Sequence, residues 1–449
     1  MTPLAHGVGS VQDLPVPQWL FLYGAGVVLV VSFAALALLW RRPLLARHAG
    51  GRALPEWVSR IVLSQGLRVA LGAIGFFLLL VVFAAALVGE RSVGSNLAPT
   101  FVYVGFWLGL VPVVVIFGNV WRALNPWRAA AEATESVAGR LGAQAEPYPY
   151  PERLGRWPAA LGLFAFAALE LAYFEPADPR ALAFAIVLYS GATWIGALVF
   201  GSRAWFPNAE AFTVYFGLLA RLAPFAVRER EDGHGRTVVL RPPAVGLAGL
   251  GSPRPGTIAF VAVMLGSVAF DGFGRSSVWI DRTATLGDLA GTLARLGGLA
   301  FWVALVGGVY LLTVTVAKRL ASTDLDLAGA FIWSLVPIAL VYAVSHYFSL
   351  LVIEGQFLVT LASDPFGFGW DLFGTRSFQP NLAPFAPTTI WYVQVGTLVA
   401  GHVAGLAVAH DRALELFPRD TGRALRTQYP FLVLMVIYTV GGLWLLSQD

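Results

Sequence analysis

Apolar residues in this chain do not alternate, nor do they recur on one helical face. They come in nearly unbroken runs of about twenty, separated by connections that carry arginine. A helix rises ~1.5 Å per residue, so ~20 apolar residues cross the hydrocarbon of a bilayer. The pattern predicts ten such spans, at about 17–40, 66–88, 98–118, 157–174, 181–200, 256–272, 296–317, 328–353, 387–409 and 427–446. The fourth and sixth are the shortest. The expected class is an all-α integral membrane protein, a bundle of about ten transmembrane helices with interfacial amphipathic helices, in one polytopic domain over 1–449. No basic stretch and no small-residue cleavage site precede the first span, so no cleavable signal peptide is expected.

Three pieces between spans have patterns of their own. Phe117–Leu141 passes an Asn125-Pro126 turn into an amphipathic run. Phe200–Phe225 repeats the theme: Phe-Gly, a tryptophan, a Pro207-Asn208 turn, then a helical pattern. The likeness suggests a duplicated unit of two spans and an interfacial helix, although Phe-Gly and Trp are also common where a helix meets the interface. Arg228–Leu240 reads as a short hairpin.

Charge sets the orientation. With the N-terminus outside, 24 of the 30 basic residues fall on the inner side, and only Arg91, Arg180, Arg275, Arg282, Arg295 and Arg376 remain outside. The positive-inside rule selects this arrangement. It makes 119–156 and 201–255 cytoplasmic segments with amphipathic helices. It makes 1–16 an extracytoplasmic tail and 354–386 an extracytoplasmic loop. Both termini are then extracytoplasmic, in the cytoplasmic (inner) membrane of a bacterium.

Composition agrees: 57% of residues are hydrophobic and 12% charged, about half the ~25% charged of an average soluble chain. The net charge of +4 resides in the connections, so it is a topology signal. The lipid bilayer is the expected partner, with a small-molecule substrate and no nucleic acid. There is no cysteine, which excludes disulfides, thiolate catalysis and thiolate metal sites.

Ionisable residues inside apolar spans are expensive and point to function. Counted along their helices, Glu170 lies ~6 Å, Asp271 ~10 Å and His346 ~9 Å outward of the span middle, so the three share one layer. His402 lies ~6 Å inward, about 15 Å from His346 in depth, which excludes a metal shared by the two histidines. Tyr342, Ser345, His346 and Ser349 fall on one helical face. Above the layer come Glu175, Asp178, Glu354, Asp364 and Asp371, an acidic vestibule to which His6 of the tail can add a mobile ligand.

Asp271, His346 and Glu170 are therefore the candidate catalytic set. With His6 they are the candidate ligands of a divalent metal ion, which would activate water. Without a metal, the same set makes a proton relay or ion-coupling site, or simply binds helices together. His402, beside Gly401, Ala404 and Gly405, reads as a packing histidine. His410-Asp411-Arg412 reads as a solvated helix end, and His48 and His234 as solvated loop residues. Loop Gly355–Pro387, with SDPFGFGWDLFG, is either a lid or an interfacial aromatic anchor.

The stretches AHGVGSVQDLPVP, NVWRALNPWR, EAFTVYFGLLARLAPF, SDPFGFGWDLFG, GHVAGLAVAHDRAL and QYPFLVLMVIYTVGGLWLL resemble a family of bacterial polytopic membrane proteins, frequent in actinobacteria, whose members are labelled fenitrothion hydrolase. The resemblance spans nearly the whole chain. It implies hydrolysis of an organophosphate ester, and it supplies no motif that assigns residues. The residues alone leave three readings open: a metal-assisted hydrolase, a small-solute transporter, and metal (copper) handling on the periplasmic side. The last is poorly served by only three methionines, Met1, Met264 and Met435.

The arginine distribution makes a direct prediction. A reporter active only in the cytoplasm should be silent when fused after Asp449, and a working fusion there would overturn the orientation.

Overall fold

The computed structural model describes residues 18–142, 146–230, 233 and 235–446. The tail with His6, and His234, lie outside the described residues. The protein is an all-α polytopic bundle. Twelve helices matter here: α1 (Gln18–Leu39), α2 (Gln65–Val88), α3 (Leu97–Phe117), α4 (Pro126–Arg140), α5 (Trp157–Leu171), α6 (Pro179–Phe200), α7 (Ala211–Leu219), α8 (Thr257–Gly274), α9 (Asp288–Ala321), α10 (Leu327–Glu354), α11 (Pro387–Leu416) and α12 (Thr421–Leu446). All but α4 and α7 coincide in position with the ten expected spans; among the described residues eight are long and apolar enough to cross a membrane, and α1 and α5 contribute shorter apolar helices, α5 having 15 residues.

Two spans form the axis of the bundle. Of their apolar windows, 72% is buried in α8 and 78% in α10, against 22–44% in the other long spans. α8 packs on α5, α9, α10 and α12, and α10 packs on α3, α7, α8 and α11. The outer helices turn their exposed leucines, valines and phenylalanines toward the surroundings, as lipid-facing helices do. Helix α11 comes close to α10 where Gly401 faces Val341 and Gly405 faces the Ser334 carbonyl and Ile338.

Two axis-lining spans are not regular. Phe101–Leu108 of α3 is wound as a π-helix, and the Gly109 N–H reaches back to the Val104 carbonyl at 2.8 Å. Ile332–Ser334 of α10 tightens into a 3₁₀ turn. Each stretch lies just ahead of a proline, Pro112 and Pro337. A proline has no N–H, and its ring crowds the carbonyl four residues back, here Leu108 and Trp333. The irregular turns are where the ladder absorbs that loss.

The two pieces that suggested a repeat begin alike in the backbone. After α3, Phe117 leads into Gly118 (φ 88°) and one turn, Trp121–Leu124. After α6, Phe200 leads into Gly201 (φ 78°) and one turn, Ser202–Trp205. Only glycine takes these left-handed positions without strain. The two units then diverge. α4 is amphipathic as expected, burying Pro126, Trp127 and Ala131. α7 is not an interfacial helix. Every residue of Ala211–Leu219 except Gly217 is buried, among α3, α5 and α10. The sequence AFTVYFGLL has no polar face to offer water, and this outweighs the pattern of its neighbours.

Glu210 holds this region together. It caps α7 through the N–H groups of Phe212 and Thr213, both at 2.9 Å, and accepts from Asn125 Nδ2 at 2.8 Å and from the Tyr189 and Thr213 hydroxyls. Asn125 in turn caps α4 by accepting from the Arg128 N–H. One carboxylate thus ties α4, α6 and α7.

The triplet 410–412 corrects its reading as a solvated end. α11 runs on to Leu416, which keeps His410 and Asp411 on its inward face, and both are buried. Asp411 accepts from Trp40 Nε1 (3.1 Å), Leu44 N (2.6 Å) and Leu45 N (3.2 Å), and His410 joins Gln428 to the Trp40 carbonyl. His48 is exposed, as expected. The hairpin is present as β2 (Phe225–Glu229) and β3 (Arg236–Leu240). A two-residue strand that the sequence did not announce, β1 (Arg52–Ala53), pairs with β3, giving an antiparallel sheet of order β1-β3-β2.

Loop 354–386 folds around its own turns. Asp364 accepts from the N–H groups of Phe368 and Gly369, and Asp371 from that of Arg376. The loop docks on the α2–α3 connection, where Glu90 N donates to Phe366 O and Leu97 N to Pro365 O. Two of the vestibule acids are therefore turn-makers, and Asp178 likewise caps α6.

The Glu210 network predicts a large effect from a small change. Glu210→Gln keeps the shape but replaces an accepting oxygen with an N–H₂ group facing donors. Leaving buried donors unmet should cost on the order of 2 kcal/mol or more, read as a lower unfolding midpoint in detergent.

Candidate functional site

Asp271 is the hub of the layer. It lies near the end of α8, buried at 8% exposure, with its two oxygens shared among three partners. His346 Nε2 donates to Oδ2 at 2.8 Å, and the Tyr347 hydroxyl donates to the same oxygen at 2.8 Å. Arg275, one turn on along α8, donates from Nη2 to Oδ1 at 2.9 Å. Because it faces a carboxylate, the His346 Nε2 carries the ring proton. Consecutive residues of α10 stand ~100° apart around the helix, so His346 and Tyr347 reach Asp271 from two sides. The rings of His346 and Tyr347 meet edge to face at 4.7 Å.

Glu170, on α5, faces this cluster across a small cavity. Trp107, Glu170, Tyr215, Ser267, Ala343 and Tyr347 are among its lining residues. The cavity has room for about one water molecule. Tyr347 belongs to both sides, because its ring lines the cavity and its hydroxyl bonds to Asp271. The groups that act on the Glu170 carboxyl are the apolar wall and the charges of Asp271 and Arg275. Among the described residues none donates a hydrogen bond to it. That separates it from Asp271, Glu210 and Asp411, each of which has dedicated donors.

The structure thus brings Asp271, His346 and Glu170 to one place, as their depths require. Asp271 and His346 touch, while Glu170 stands across the cavity. His402 is elsewhere: fully buried, its Nδ1 bonds to the Leu398 carbonyl of its own helix at 2.8 Å. The face expected to unite Tyr342, Ser345, His346 and Ser349 is divided among neighbours. Tyr342 bonds to the Tyr438 carbonyl of α12, and Ser345 exchanges bonds with Gln394 of α11. Loop 354–386 contributes nothing to the cavity lining, so it is not a lid on this cavity.

A metal ion does not fit the donors as they stand. Among the described residues no three His, Asp or Glu side chains converge as a coordination set. Both Asp271 oxygens are already engaged, one of them by a guanidinium that a cation would have to displace. His6, the fourth expected ligand, lies outside the described residues.

Sequence reasoning missed Tyr347 and Arg275. Arg275 carried a signal, since Asp271 and Arg275 have the i, i+4 spacing of a helical ion pair. Tyr347 carried none, because an aromatic residue in a span is ordinary. Comparison with family models, curated proteins and solved structures returns no match to this chain.

The two kinds of contact at Asp271 should separate in stability. Tyr347→Phe removes one donor from an oxygen that keeps His346, and should cost about 1 kcal/mol. Asp271→Asn removes the charge that Arg275 and His346 both meet, breaking a mostly buried ion pair, and should cost more, about 3–5 kcal/mol. Equal losses in denaturant unfolding would show that the carboxylate is not the anchor.

Proposed function

We propose that this protein is a proton-coupled transporter of a small solute in a bacterial cytoplasmic membrane, with its arginine-rich end in the cytoplasm and both termini outside. The carrying observation is Glu170: a carboxyl with no donor among the described residues, on a different helix from the Asp271–His346–Tyr347–Arg275 cluster, across a cavity the size of a water. A proton on Glu170 removes a negative charge that faces Asp271. Loading and unloading that proton changes the interaction of α5 with α8 and α10, which is what a coupling site needs.

The helices around the cavity support the same reading. Trp107 sits in the π-helical stretch of α3, and Ala343 and Tyr347 follow the 3₁₀ turn of α10. Interrupted helices at a polar site are the usual construction of secondary transporters. The bilayer supplies the solvent, and the solute remains to be identified by experiment.

The resemblance to the fenitrothion hydrolase family supports a second reading. An imidazole oriented by a carboxylate, as His346 is by Asp271, is a general-base arrangement for activating water. A phosphotriester is far larger than the cavity, so this reading requires α5 to part from α8 and α10.

Proteoliposomes carrying a trapped pH probe test the choice. Under an imposed proton gradient, one member of a panel of amino acids, sugars, organic acids and cations should elicit proton movement in wild type, and Glu170→Gln should lower it at least tenfold. Turnover of an aryl phosphotriester by the purified protein, lost in Asp271→Asn and without solute-linked proton flux, would replace transport with hydrolysis.

A further inference from the structure

A second polar cluster lies at the arginine-rich end, where the connection before α5 meets the connection before α8. The Arg156 N–H donates to the Pro255 carbonyl at 2.7 Å, which sets Arg156 beside Arg254. Tyr150 fixes the first connection by donating to the Gly155 carbonyl at 2.8 Å. Arg254 donates from Nη1 to Asn208 Oδ1. Arg221, just past the end of α7, completes the group; its charge and that of Arg254 both act on Arg156. Arg221 and Arg254 are exposed, while Arg156 is half-buried.

The Arg156 side chain is the anomaly. Its Nε and Nη1 are buried and meet no acceptor among the described residues. Burial first, then Arg254 and Arg221, lowers its pKa to about 10, so it remains charged at neutral pH. No described carboxylate pairs with it. A buried guanidinium with unmet donors is costly, and placing two more cations beside it adds repulsion. Natural proteins keep such an arrangement where an anion supplies the missing acceptors. A tetrahedral oxyanion matches the guanidinium fork, and three arginines close enough to act on one another can share its charge.

We propose that Arg156, Arg221 and Arg254 form a binding site for a phosphate-type oxyanion, with Arg156 at its base and the other two at its rim. Asn208 and Arg221 bracket α7, which carries Glu210 at its start and Tyr215 in the cavity wall. A bound anion therefore braces the helix that walls the Glu170 cavity. The phosphate belongs either to a lipid headgroup at the membrane surface or to a soluble anion.

Thermal unfolding of the purified full chain tests this site and distinguishes the sources. Wild type is compared in detergent with sodium phosphate or with chloride at equal ionic strength, and in nanodiscs of phosphatidylglycerol or of phosphatidylcholine. Phosphate, phosphatidylglycerol or both should raise the midpoint by several degrees. Stabilisation by free phosphate identifies a soluble anion, and stabilisation by phosphatidylglycerol alone identifies a headgroup. Arg156→Gln should abolish the shift and Arg254→Gln, at an exposed position, should reduce it. Arg140→Gln, at the exposed end of α4, should leave it intact. The proposal falls if neither anion shifts wild type, or if Arg156→Gln and Arg254→Gln both keep the full shift. If Arg156→Gln does not fold, Arg254→Gln against Arg140→Gln decides.

Discussion

A carboxylate far from water must be matched by donors or by a counter-charge, and the axis of this bundle is assembled around that requirement at Asp271. Arg275 answers its charge at one oxygen, and His346 and Tyr347 both donate to the other. The first partner comes from α8 itself and the other two from α10. Satisfying one residue therefore fixes the rotation of α10 relative to α8, the two most enclosed of the long spans. Lipid gives apolar faces no reason to prefer one partner to another, so polar contacts of this kind carry much of the specificity in a membrane bundle.

The same logic recurs at both ends. Glu210 gathers the start of α7, the cap of α4 and a tyrosine of α6. Asp411 collects the chain where α1 ends. At the arginine-poor end, Arg180 donates to the carbonyls of Ala86 and Gly89, and Arg295 to that of Ala172, so each closes the end of a helix. Helix ends leave carbonyls unmet and carry partial negative charge, which a guanidinium answers. Arginines that weaken the charge asymmetry thus have structural work to do. An ionisable residue in a span is not functional merely by being there. Glu170 stands apart because the described residues place no comparable set of donors around it.

The spans and the shared layer were legible in the sequence because both depend on counting along one helix. Run length gives the crossings, and position within each run placed Glu170, Asp271 and His346 together and His402 away. What was not legible depends on contacts between helices. The pairing of Tyr347 with Asp271, the burial of α7 and the enclosure of His410 and Asp411 are set by neighbours that no local pattern names. The fit of a metal was not legible for a related reason. Depth showed that three ligand types were near one another, but not that Arg275 already held Asp271.

The prolines connect this static arrangement to movement. Pro112 and Pro337 each weaken a helix that lines the cavity, and in both cases the disturbed turn lies within a few residues of a lining side chain. A π-helical stretch differs from an α-helix by one residue per insertion, so resolving it rotates everything beyond it by about 100°. Trp107 lies inside such a stretch. On the transport reading, proton occupancy of Glu170 alters the forces on α5, α8 and α10, while the irregular turns lie in α3 and α10, which line the same cavity. The polar site and the irregular turns are therefore adjacent, which on that reading is the condition for one to drive the other.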